Sequence, residues 1–359
     1  MKITLFIGSL SGGGAERVTC NLANYLSKVG HDVNVMVVSE DSTTYYLNKE
    51  IAIYSLSGRF KKNNPLISVY RFFRFITYLI KNKCDTYIVM LPRTTILLLK
   101  YNYLTKARII ATQRIMPSSL NISNQNLLKK YSSKADGWVF QTEEQFEWFK
   151  KCNLSSKTII IPNAINADFF HPIYQGEKRP VIVTAGRMTE QKNQHLLLKA
   201  FAQIKSYYPN YTIVIYGKGP KEESLREITK DLGLSEIVKM PGYTNNIGDC
   251  IKDATLFVLS SNYEGMPNAL MEAMALGLPC ISTDCDGGGA RFLIEDGVNG
   301  LLVPKNDVDA MAKAMKRILD NPDFASSLGN NAHKICERLA PEKIYGEWEL
   351  FIEKIVECD

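Results

Sequence analysis

The sequence predicts an α/β protein with parallel sheets, because short apolar runs alternate with longer amphipathic segments along the chain. Runs such as KITLFI, VIVTA and ATLFVL are rich in β-forming residues and end at glycine or small polar residues, which is typical of buried strands. Helical segments of about 10–15 residues separate them, and this alternation favours parallel sheets with covered faces. At 359 residues the chain is long enough for two domains.

Composition and charge narrow the class of protein. The hydrophobic fraction of 45% and the charged fraction of 22% are those of a globular protein. The first 175 residues hold 22 Lys and Arg against 11 Asp and Glu, whereas the remaining residues hold 21 against 26. The two halves are therefore expected to meet different partners, or the first half to meet an anionic one.

The sequence predicts neither a targeting segment nor a metal site. The N-terminal apolar run is short and leads into glycines, as in a buried strand and not a secretory signal. No stretch approaches the roughly 20 uninterrupted apolar residues of a spanning helix. The eight cysteines include no Cys-x-x-Cys pair and the four histidines are scattered. We expect a cytoplasmic protein, soluble or peripheral at a membrane, with no metal and no cofactor.

One stretch, residues 254–282, carries the strongest functional signal. Ala254–Leu259 is predicted to be a buried strand, and a helix is predicted to begin beside Pro267 and to stop at Gly277. Ligands of open α/β sheets bind beyond the carboxyl ends of strands, and the amides at a helix N-terminus favour a phosphate. Two carboxylates, Glu264 and Glu272, flank this phosphate site, which suggests a sugar nucleotide.

Two further strands lead into residues suited to an anion. Ser11–Glu16 is a glycine loop directly after the first strand, although it lacks the Gly-x-Gly-x-x-Gly spacing of a dehydrogenase. The alternative for this loop is a tight packing turn. After the strand Val181–Ala185, Arg187 and Lys192 could straddle a diphosphate. The alternative for these two residues is ordinary surface charge.

The segment EGMPNALME, residues 264–272, followed by AMALGLPCIST, resembles the signature of retaining glycosyltransferase family four. Gly186-Arg187 with Lys192 and the linker Pro162-Asn163-Ala164 match further motifs of that family. The resemblance implies a glycosyltransferase B-type fold, in which two Rossmann-like domains face each other across a cleft. It implies an acceptor domain over 1–172, a donor-nucleotide domain over 173–335, and a C-terminal helix over 336–359 that crosses back to the first domain.

The resemblance also assigns site residues. Arg187, Lys192 and Glu264 are expected to be catalytic. The remaining residues expected to contact the sugar donor are Gly13, Gly14, Gly186, Gly217, Gly242, Tyr243, Gly265, Met266, Pro267, Asn268, Ala269 and Glu272. Glu16, Gln113 and Arg114 are expected to form the acceptor side, with Gln113 or Arg114 at the place of a family histidine. Asp284-x-Asp286 resembles a metal motif of another glycosyltransferase fold, but it aligns with a glycine turn of this family and is interpreted as a loop coincidence. Phe292 stands where the family usually has a glutamate.

The implied function is the retaining transfer of a hexose or N-acetylhexosamine from a nucleoside-diphosphate sugar, with UDP as the expected nucleotide. The acceptor would be a hydroxyl of a polyprenyl-diphosphate-linked glycan or lipopolysaccharide in bacterial surface-polysaccharide or capsule assembly. Two alternatives stay open: a sugar-nucleotide epimerase of similar fold and a non-catalytic nucleotide-sugar-binding protein. The sequence decides neither the sugar nor whether the base is uracil or guanine.

The segment 59–83 mixes aromatic and basic residues and has two interpretations. Arg71, Arg74, Phe72 and Phe73 on one helix suit an anionic membrane surface, which would place the protein at the inner face of the cytoplasmic membrane. A core helix with basic ends explains much of the same pattern. Nucleic acid is not expected, because no recognition motif accompanies the charge.

Overall fold

The computed structural model of the chain forms two compact units. The first comprises Met1–Asn163 with Glu342–Asp359, and the second comprises Ala164–Pro341. The sequence indicated divisions after residues 172 and 335. The residues that the structure describes are 1–39, 42–58, 66–152, 154 and 157–357.

The first unit contains a parallel sheet with the strand order β3-β2-β1-β4-β5-β6-β7. The order reverses beside β1, which pairs with β2 on one side and β4 on the other. Such a reversal opens a crevice at the carboxyl ends of the strands. The strands are β1 (Lys2–Ile7), β2 (Asp32–Val37), β3 (Ala52–Ser55), β4 (Thr86–Val89), β5 (Arg108–Gln113), β6 (Gly137–Phe140) and β7 (Lys157–Ile160).

Helices cover this sheet and enclose an aromatic core. Phe6, Tyr87, Trp138, Phe140 and Phe149 are all fully buried in it, which explains why the strands read as continuous apolar runs. The helices are α1 (Gly14–Lys28), α2 (Ile67–Lys81), α3 (Pro92–Lys100), α4 (Ile122–Tyr131) and α5 (Glu143–Lys150).

The second unit contains a parallel sheet with the order β10-β9-β8-β11-β12-β13. Here the order reverses between β8 and β11, which pair directly. The loops after these two strands therefore flank the crevice of this sheet. The strands are β8 (Arg179–Ala185), β9 (Thr212–Tyr216), β10 (Val238–Gly242), β11 (Ala254–Leu259), β12 (Cys280–Asp284) and β13 (Leu301–Pro304).

The helices of the second unit pack an aliphatic core against its sheet. Leu197, Phe201, Leu256 and Met315 lie at its centre and are fully buried. The helices are α6 (Gln194–Ile204), α7 (Glu222–Asp231), α8 (Ile247–Ile251), α9 (Asn268–Ala275), α10 (Gly289–Leu293), α11 (Val308–Leu319), α12 (Pro322–His333) and α13 (Ile335–Arg338).

The last helix, α14, spans Pro341–Val356, and from Glu342 onwards it belongs to the first unit. Its face with Trp348, Phe351 and Ile355 is buried, and Gly137 of β6 lies so close to the Ile355 side chain that a larger residue would crowd it. The prediction of two parallel-sheet α/β domains is confirmed. Among the described helices, none has the length and apolar character needed to cross a membrane.

Candidate functional site

A buried ion pair joins the two loops that flank the crevice of the second sheet. Lys192, in the loop after β8, places Nζ 2.6 Å from Oε1 of Glu264, in the loop after β11. The two side chains are only 15% and 7% exposed. The Ser261 hydroxyl donates to the same Glu264 oxygen at 2.7 Å. A charge in this environment is little screened by solvent, so the pair is a strong local constraint.

Arg187 differs sharply from Lys192, although both follow the same strand. Its side chain is exposed, and it forms no ion pair with any residue that the structure describes. Only its backbone is held, because the side-chain amide of Gln194 donates to the Arg187 carbonyl at 3.2 Å. Arg187 thus offers an uncommitted cation beside the buried pair.

The helix α9 begins beside Glu264, as the sequence predicted. Its first intrahelical bonds run from the amides of Leu270 and Met271 to the Pro267 carbonyl. The residues before that turn, 265–269, therefore present the positive end of the helix dipole next to Glu264. Glu272 lies in the next turn and is 6% exposed. The Lys192–Glu264 ion pair and the N-terminus of α9, which carries the Glu272 carboxylate in its next turn, thus lie at one edge of this sheet.

Glycines allow the loops at this edge to stack directly on one another. A Cβ atom on Gly287 would overlap the Glu264 carbonyl, and one on Gly289 would overlap the Gly265 carbonyl. The Glu264 amide donates to the Asp286 carbonyl at 2.9 Å, which joins the same two loops. The position of Glu264 therefore depends on a glycine loop that follows a different strand.

Gly217 brings the loops after β8, β9 and β10 together. A Cβ atom on Gly217 would overlap the Gly186 carbonyl, and its amide donates to the Gly242 carbonyl at 2.8 Å. Gly186 and Gly242 have φ angles of 154° and 89°, the second in the left-handed region. Tyr243 follows directly and is 58% exposed, so it offers an aromatic face to a ligand.

The pattern Asp284-x-Asp286 is engaged in ion pairs. Asp284 pairs with Arg291 at 2.7 Å, and Asp286 pairs with Lys305 at 2.8 Å. In the described ranges no group of three His, Cys, Asp or Glu side chains is arranged to hold a metal. Phe292, in the place of a family glutamate, has Arg338 stacked 4.5 Å above its ring.

The glycine loop of the first unit is held by its own neighbours. The Gly13 amide donates to the Tyr45 hydroxyl at 3.2 Å, and Gly14 begins α1. The Glu16 carboxylate lies against Gly13, where a Cβ atom would overlap it. A phosphate at Gly13 would meet this carboxylate, so the loop suits a hydroxyl better than an anion.

Gln113 and Arg114 lie at the end of β5, and the structure buries both. Gln113 is fully buried and Arg114 is 6% exposed. Arg114 donates from Nη1 to Oδ1 of Asn163 at 2.6 Å, and its guanidinium lies 5.7 Å from the Trp348 ring centre. Burial lowers the pKa of Arg114 to about 10. This arginine therefore anchors the end of the first unit, a role that the sequence did not suggest.

The two arginines that one interpretation of the sequence places on a membrane face have partners within the protein. Arg71 donates to the Ser57 hydroxyl at 2.9 Å, and Arg74 stacks 4.6 Å from the Tyr54 ring centre. Phe73 is 64% exposed, and Phe72 is 38% exposed. The arginines of this helix thus face the protein while several of its apolar residues are exposed, and its buried residues are Ile67, Phe75 and Leu79. Arg59, Lys61 and Lys62 lie outside the described residues.

Two family models together cover nearly the whole chain. The model of Glycosyltransferase Family 4 matches residues 12–169, and that of Glycosyl transferases group 1 matches residues 167–335. The chain belongs to glycosyltransferase family 4. The resemblance inferred from EGMPNALME is thereby confirmed, and the protein is a glycosyltransferase.

A full-length relative of this glycosyltransferase is known. The chain is 28% identical to the GalNAc-alpha-(1->4)-GalNAc-alpha-(1->3)-diNAcBac-PP-undecaprenol alpha-1,4-N-acetyl-D-galactosaminyltransferase of Campylobacter jejuni, over 99% of each chain. That name describes the relative's activity and acceptor.

Solved structures share the fold of this glycosyltransferase. Sucrose-phosphate synthase from Thermosynechococcus elongatus has a TM-score of 0.85 at 19% identity, over 99% of this chain and 98% of that one. Anabaena HepE in complex with UDP-glucose has a TM-score of 0.84 at 18% identity, over 99% of this chain and 100% of that one. At these identities the similarity concerns the fold alone.

Sequence reasoning missed several residues of this glycosyltransferase site. Ser261 and Asn262 were treated only as the polar end of a strand, yet Ser261 bonds Glu264 and Asn262 bonds the backbone of the β8 loop. Gln191 donates to the Tyr263 carbonyl at 3.1 Å. The usable signal was the polar cluster at a strand end beside the crevice, where ligand-binding groups are expected.

Proposed function

We propose that this glycosyltransferase moves a hexose or N-acetylhexosamine from a UDP-sugar to a hydroxyl of a lipid-linked glycan, with retention at the anomeric carbon. The proposed setting is bacterial surface-polysaccharide assembly. The solved complex of Anabaena HepE with UDP-glucose supports the donor class, and the undecaprenol-linked acceptor named for the Campylobacter jejuni relative supports the acceptor class.

The observation that carries the proposal is the buried Lys192–Glu264 pair beside the exposed Arg187 and the N-terminus of α9. Cleavage of the anomeric bond develops charge on the leaving diphosphate. Arg187, Lys192 and the α9 amides supply positive charge where that charge appears. Asp284 and Asp286 are already paired with Arg291 and Lys305. Arg187, Lys192 and the α9 amides, and not a metal, are therefore proposed to balance the charge of the diphosphate.

The two glutamates are proposed to hold the sugars. Glu264 is bonded by Lys192 and Ser261 through one oxygen, Oε1. Its Oε2 atom receives a long hydrogen bond of 3.4 Å from Gln191, which leaves it suited to accept from a hydroxyl of the transferred sugar. Glu272, one turn inside α9, is proposed to accept from the ribose hydroxyls, with Tyr243 and Gly242 beside the base.

No protein nucleophile is assigned in the proposed mechanism. The acceptor hydroxyl attacks the anomeric carbon on the face that the diphosphate leaves, and a phosphate oxygen takes the hydroxyl proton. The new glycosidic bond forms as the bond to the phosphate breaks, so the products are the glycoside and UDP. Unit 1 is proposed to bind the acceptor, with Glu16 at its glycine loop as the group that contacts the acceptor hydroxyl.

The decisive experiment is product analysis with purified protein. A panel of UDP- and GDP-sugars is first ranked by the rise in melting temperature, because a ligand that binds the folded state stabilises it. The best ligand is then incubated with a short polyprenyl-diphosphate glycan, and the anomeric configuration of the product is read by NMR. We expect an α-linked product from an α-linked donor, in the presence of EDTA as well as in its absence.

Four results of that experiment would contradict the proposal in whole or in part. Release of a free epimerised sugar without acceptor would indicate an epimerase. Binding without any turnover on lipid-linked acceptors would indicate a nucleotide-sugar-binding protein. Inversion at the anomeric carbon would refute the retaining mechanism. Loss of transfer in EDTA with recovery on added Mg²⁺ would refute metal independence while leaving the transferase assignment in place.

We further propose that α2 holds the protein at an anionic membrane. Leu66, Val69, Phe73 and Ile80 are 67%, 54%, 64% and 60% exposed and recur at helical spacing on one face. The exposed Lys81 and Lys83 follow at the end of that helix. An apolar stripe next to cations fits the boundary between acyl chains and anionic headgroups.

Vesicle flotation tests the α2 surface. Phe73→Glu is expected to abolish binding to vesicles that contain phosphatidylglycerol, whereas Leu350→Glu is expected to leave it unchanged. Leu350 is a matched control because it is 69% exposed on another helix of the same unit. The α2 proposal would be refuted if the Phe73→Glu variant bound vesicles as well as the wild type does. It would also be refuted if binding were independent of salt and of anionic lipid.

A further inference from the structure

Asn193, directly before α6, has an unusual backbone conformation. Its φ and ψ angles are 43° and 47°, in the left-handed region that costs free energy for a residue with a side chain. An asparagine at this place usually accepts a hydrogen bond from an amide of the first turn. Asn121 and Asn246 do so at α4 and α8, but the Asn193 side chain does not cap α6. The left-handed turn at Asn193 is thus formed without a side-chain cap for α6.

The Asn193 side chain instead bridges neighbouring loops. Its Nδ2 atom donates to Oδ1 of Asn262 and to Oδ1 of Asn306, each at 3.0 Å. Asn262 belongs to the loop after β11, and Asn306 to the turn after β13, where it also has a positive φ of 61°. One carboxamide therefore ties together the loops that follow β8, β11 and β13.

The same loops are joined around Lys192 by further bonds. The Asn262 amide donates to the Gln191 carbonyl at 2.7 Å, and Asn262 Nδ2 donates to the Glu190 carbonyl at 2.8 Å. The Ser260 hydroxyl donates to the Lys192 carbonyl at 3.1 Å. The backbone of Lys192 is thus held against the loop that carries Glu264, and strained backbone of this kind concentrates where a side chain must be aimed.

We propose that Asn193 is a positioning residue for glycosyl transfer: its left-handed backbone and bridging carboxamide aim Lys192 at Glu264 and at the diphosphate of the sugar donor. The inference rests on the proposed function, because that function assigns the diphosphate to Lys192. Asn193 itself contacts neither substrate. Its effect on turnover passes through the Lys192 ammonium group, and a misplacement of that group is sufficient to slow the reaction.

Kinetic epistasis tests this role. Asn193→Asp keeps the size and the tolerance for a left-handed backbone, but it replaces the donating NH2 group by an oxygen that faces two acceptor oxygens. Asn193→Gly allows the left-handed backbone without a side chain and removes the hydrogen bonds to Asn262 and Asn306. Both variants are expected to lower kcat/KM for the sugar donor about tenfold, equivalent to about 1.4 kcal/mol. On a Lys192→Gln background, neither is expected to lower it further.

Two outcomes overturn the inference. Wild-type kcat/KM in Asn193→Asp would remove the residue from the positioning of Lys192. A tenfold loss that persists on the Lys192→Gln background would assign it a general structural role. Failure of the proposed function would look different, because the wild type would then transfer no sugar to an acceptor. In that case the melting temperature supplies the readout. Asn193→Asp must lower the melting temperature less on a Lys192→Gln/Glu264→Gln background than on the wild type. An equal fall on both backgrounds overturns the inference.

Discussion

The carboxyl edges of the two sheets use charge in opposite ways. At the second sheet, Lys192 and Glu264 are buried as a pair, and Arg187 lies exposed beside them. At the first sheet, Arg114 is buried against the carboxamide of Asn163, and two of its nitrogens, Nε and Nη2, find no hydrogen-bond partner among the described residues. Similar strand-end positions therefore carry the proposed ligand site in one unit and a buried arginine in the other.

The difference follows from what each buried charge requires. A buried ion needs either an opposite charge or strong hydrogen bonds. Glu264 receives both, the opposite charge from Lys192 of a neighbouring loop and a hydrogen bond from Ser261 of its own loop, so its carboxylate is preorganised. Arg114 donates one short hydrogen bond to Asn163 and lies against the Trp348 ring, and its pKa falls to about 10 as a result of burial. The largest functional effects are therefore expected in the second unit.

The largest effect is expected for Lys192→Gln. Removal of one partner of a buried pair costs about 3–5 kcal/mol in folding free energy, and the lost charge at the diphosphate should lower kcat/KM by at least about 100-fold. The double variant Lys192→Gln/Glu264→Gln is expected to recover most of the melting temperature but none of the activity. A double variant no more stable than the single one would show that the pair is not a buried constraint.

Arg187→Gln should separate activity from stability. The loss of one charge-assisted hydrogen bond of about 1.5–3 kcal/mol lowers kcat/KM by roughly 10- to 100-fold. The melting temperature should not change, because the Arg187 side chain forms no ion pair within the described chain. Arg226→Gln is the control, since Arg226 pairs only along α7 with Glu222. Similar kinetics in the two variants would contradict the assignment of the diphosphate to Arg187.

Gly287→Ala tests whether loop stacking holds Glu264. The residue has a φ of 106°, and a Cβ atom would overlap the Glu264 carbonyl, so we expect a fall in melting temperature of several degrees together with reduced turnover. Gly297→Ala is the matched control. Gly297 also has a positive φ, 76°, but nothing lies within 4 Å of its Cβ position. An equal fall in both variants would attribute the effect to backbone strain alone.

The smallest effect is expected for Arg114→Met. Replacement of a buried cation by an apolar side chain of similar length is often neutral or stabilising, because the cost of desolvation disappears. We therefore expect kcat/KM within about threefold of the wild type and a melting temperature that is unchanged or higher. A loss of 100-fold or more, measured with the same donor and acceptor, would show that the first sheet also supplies charge to the reaction.

The fold and much of the donor edge were predictable from local pattern. Apolar runs that end at glycine or serine located β1, β8 and β11, and the Pro267 and Gly277 signals located α9. Lys192 and Glu264 could be selected because each follows a strand that ends at the same edge. The bridge by Asn193 was not predictable, since asparagine before a helix usually predicts a cap.

In the first unit, the sequence did not indicate which side chains are buried and which partners they have. Gln113 ends β5 and Arg114 follows it, and both are buried. On α2 the sequence identified the amphipathic mixture but not the partners of its arginines: Arg71 and Arg74 contact Ser57 and Tyr54. Those partners lie on and just after β3, outside the helix whose periodicity the sequence shows.

The sequence by itself determined the two parallel sheets, the loops at their carboxyl ends and the charged residues available there. These features depend on periodicity, turn chemistry and strand-end position, all of which act over a few neighbouring residues. Only the tertiary structure decided which charges are paired, which are exposed and which are anchors. That decision depends on contacts between loops and helices distant in sequence, because the free energy of a charge is set by burial and by the partner that packing brings to it.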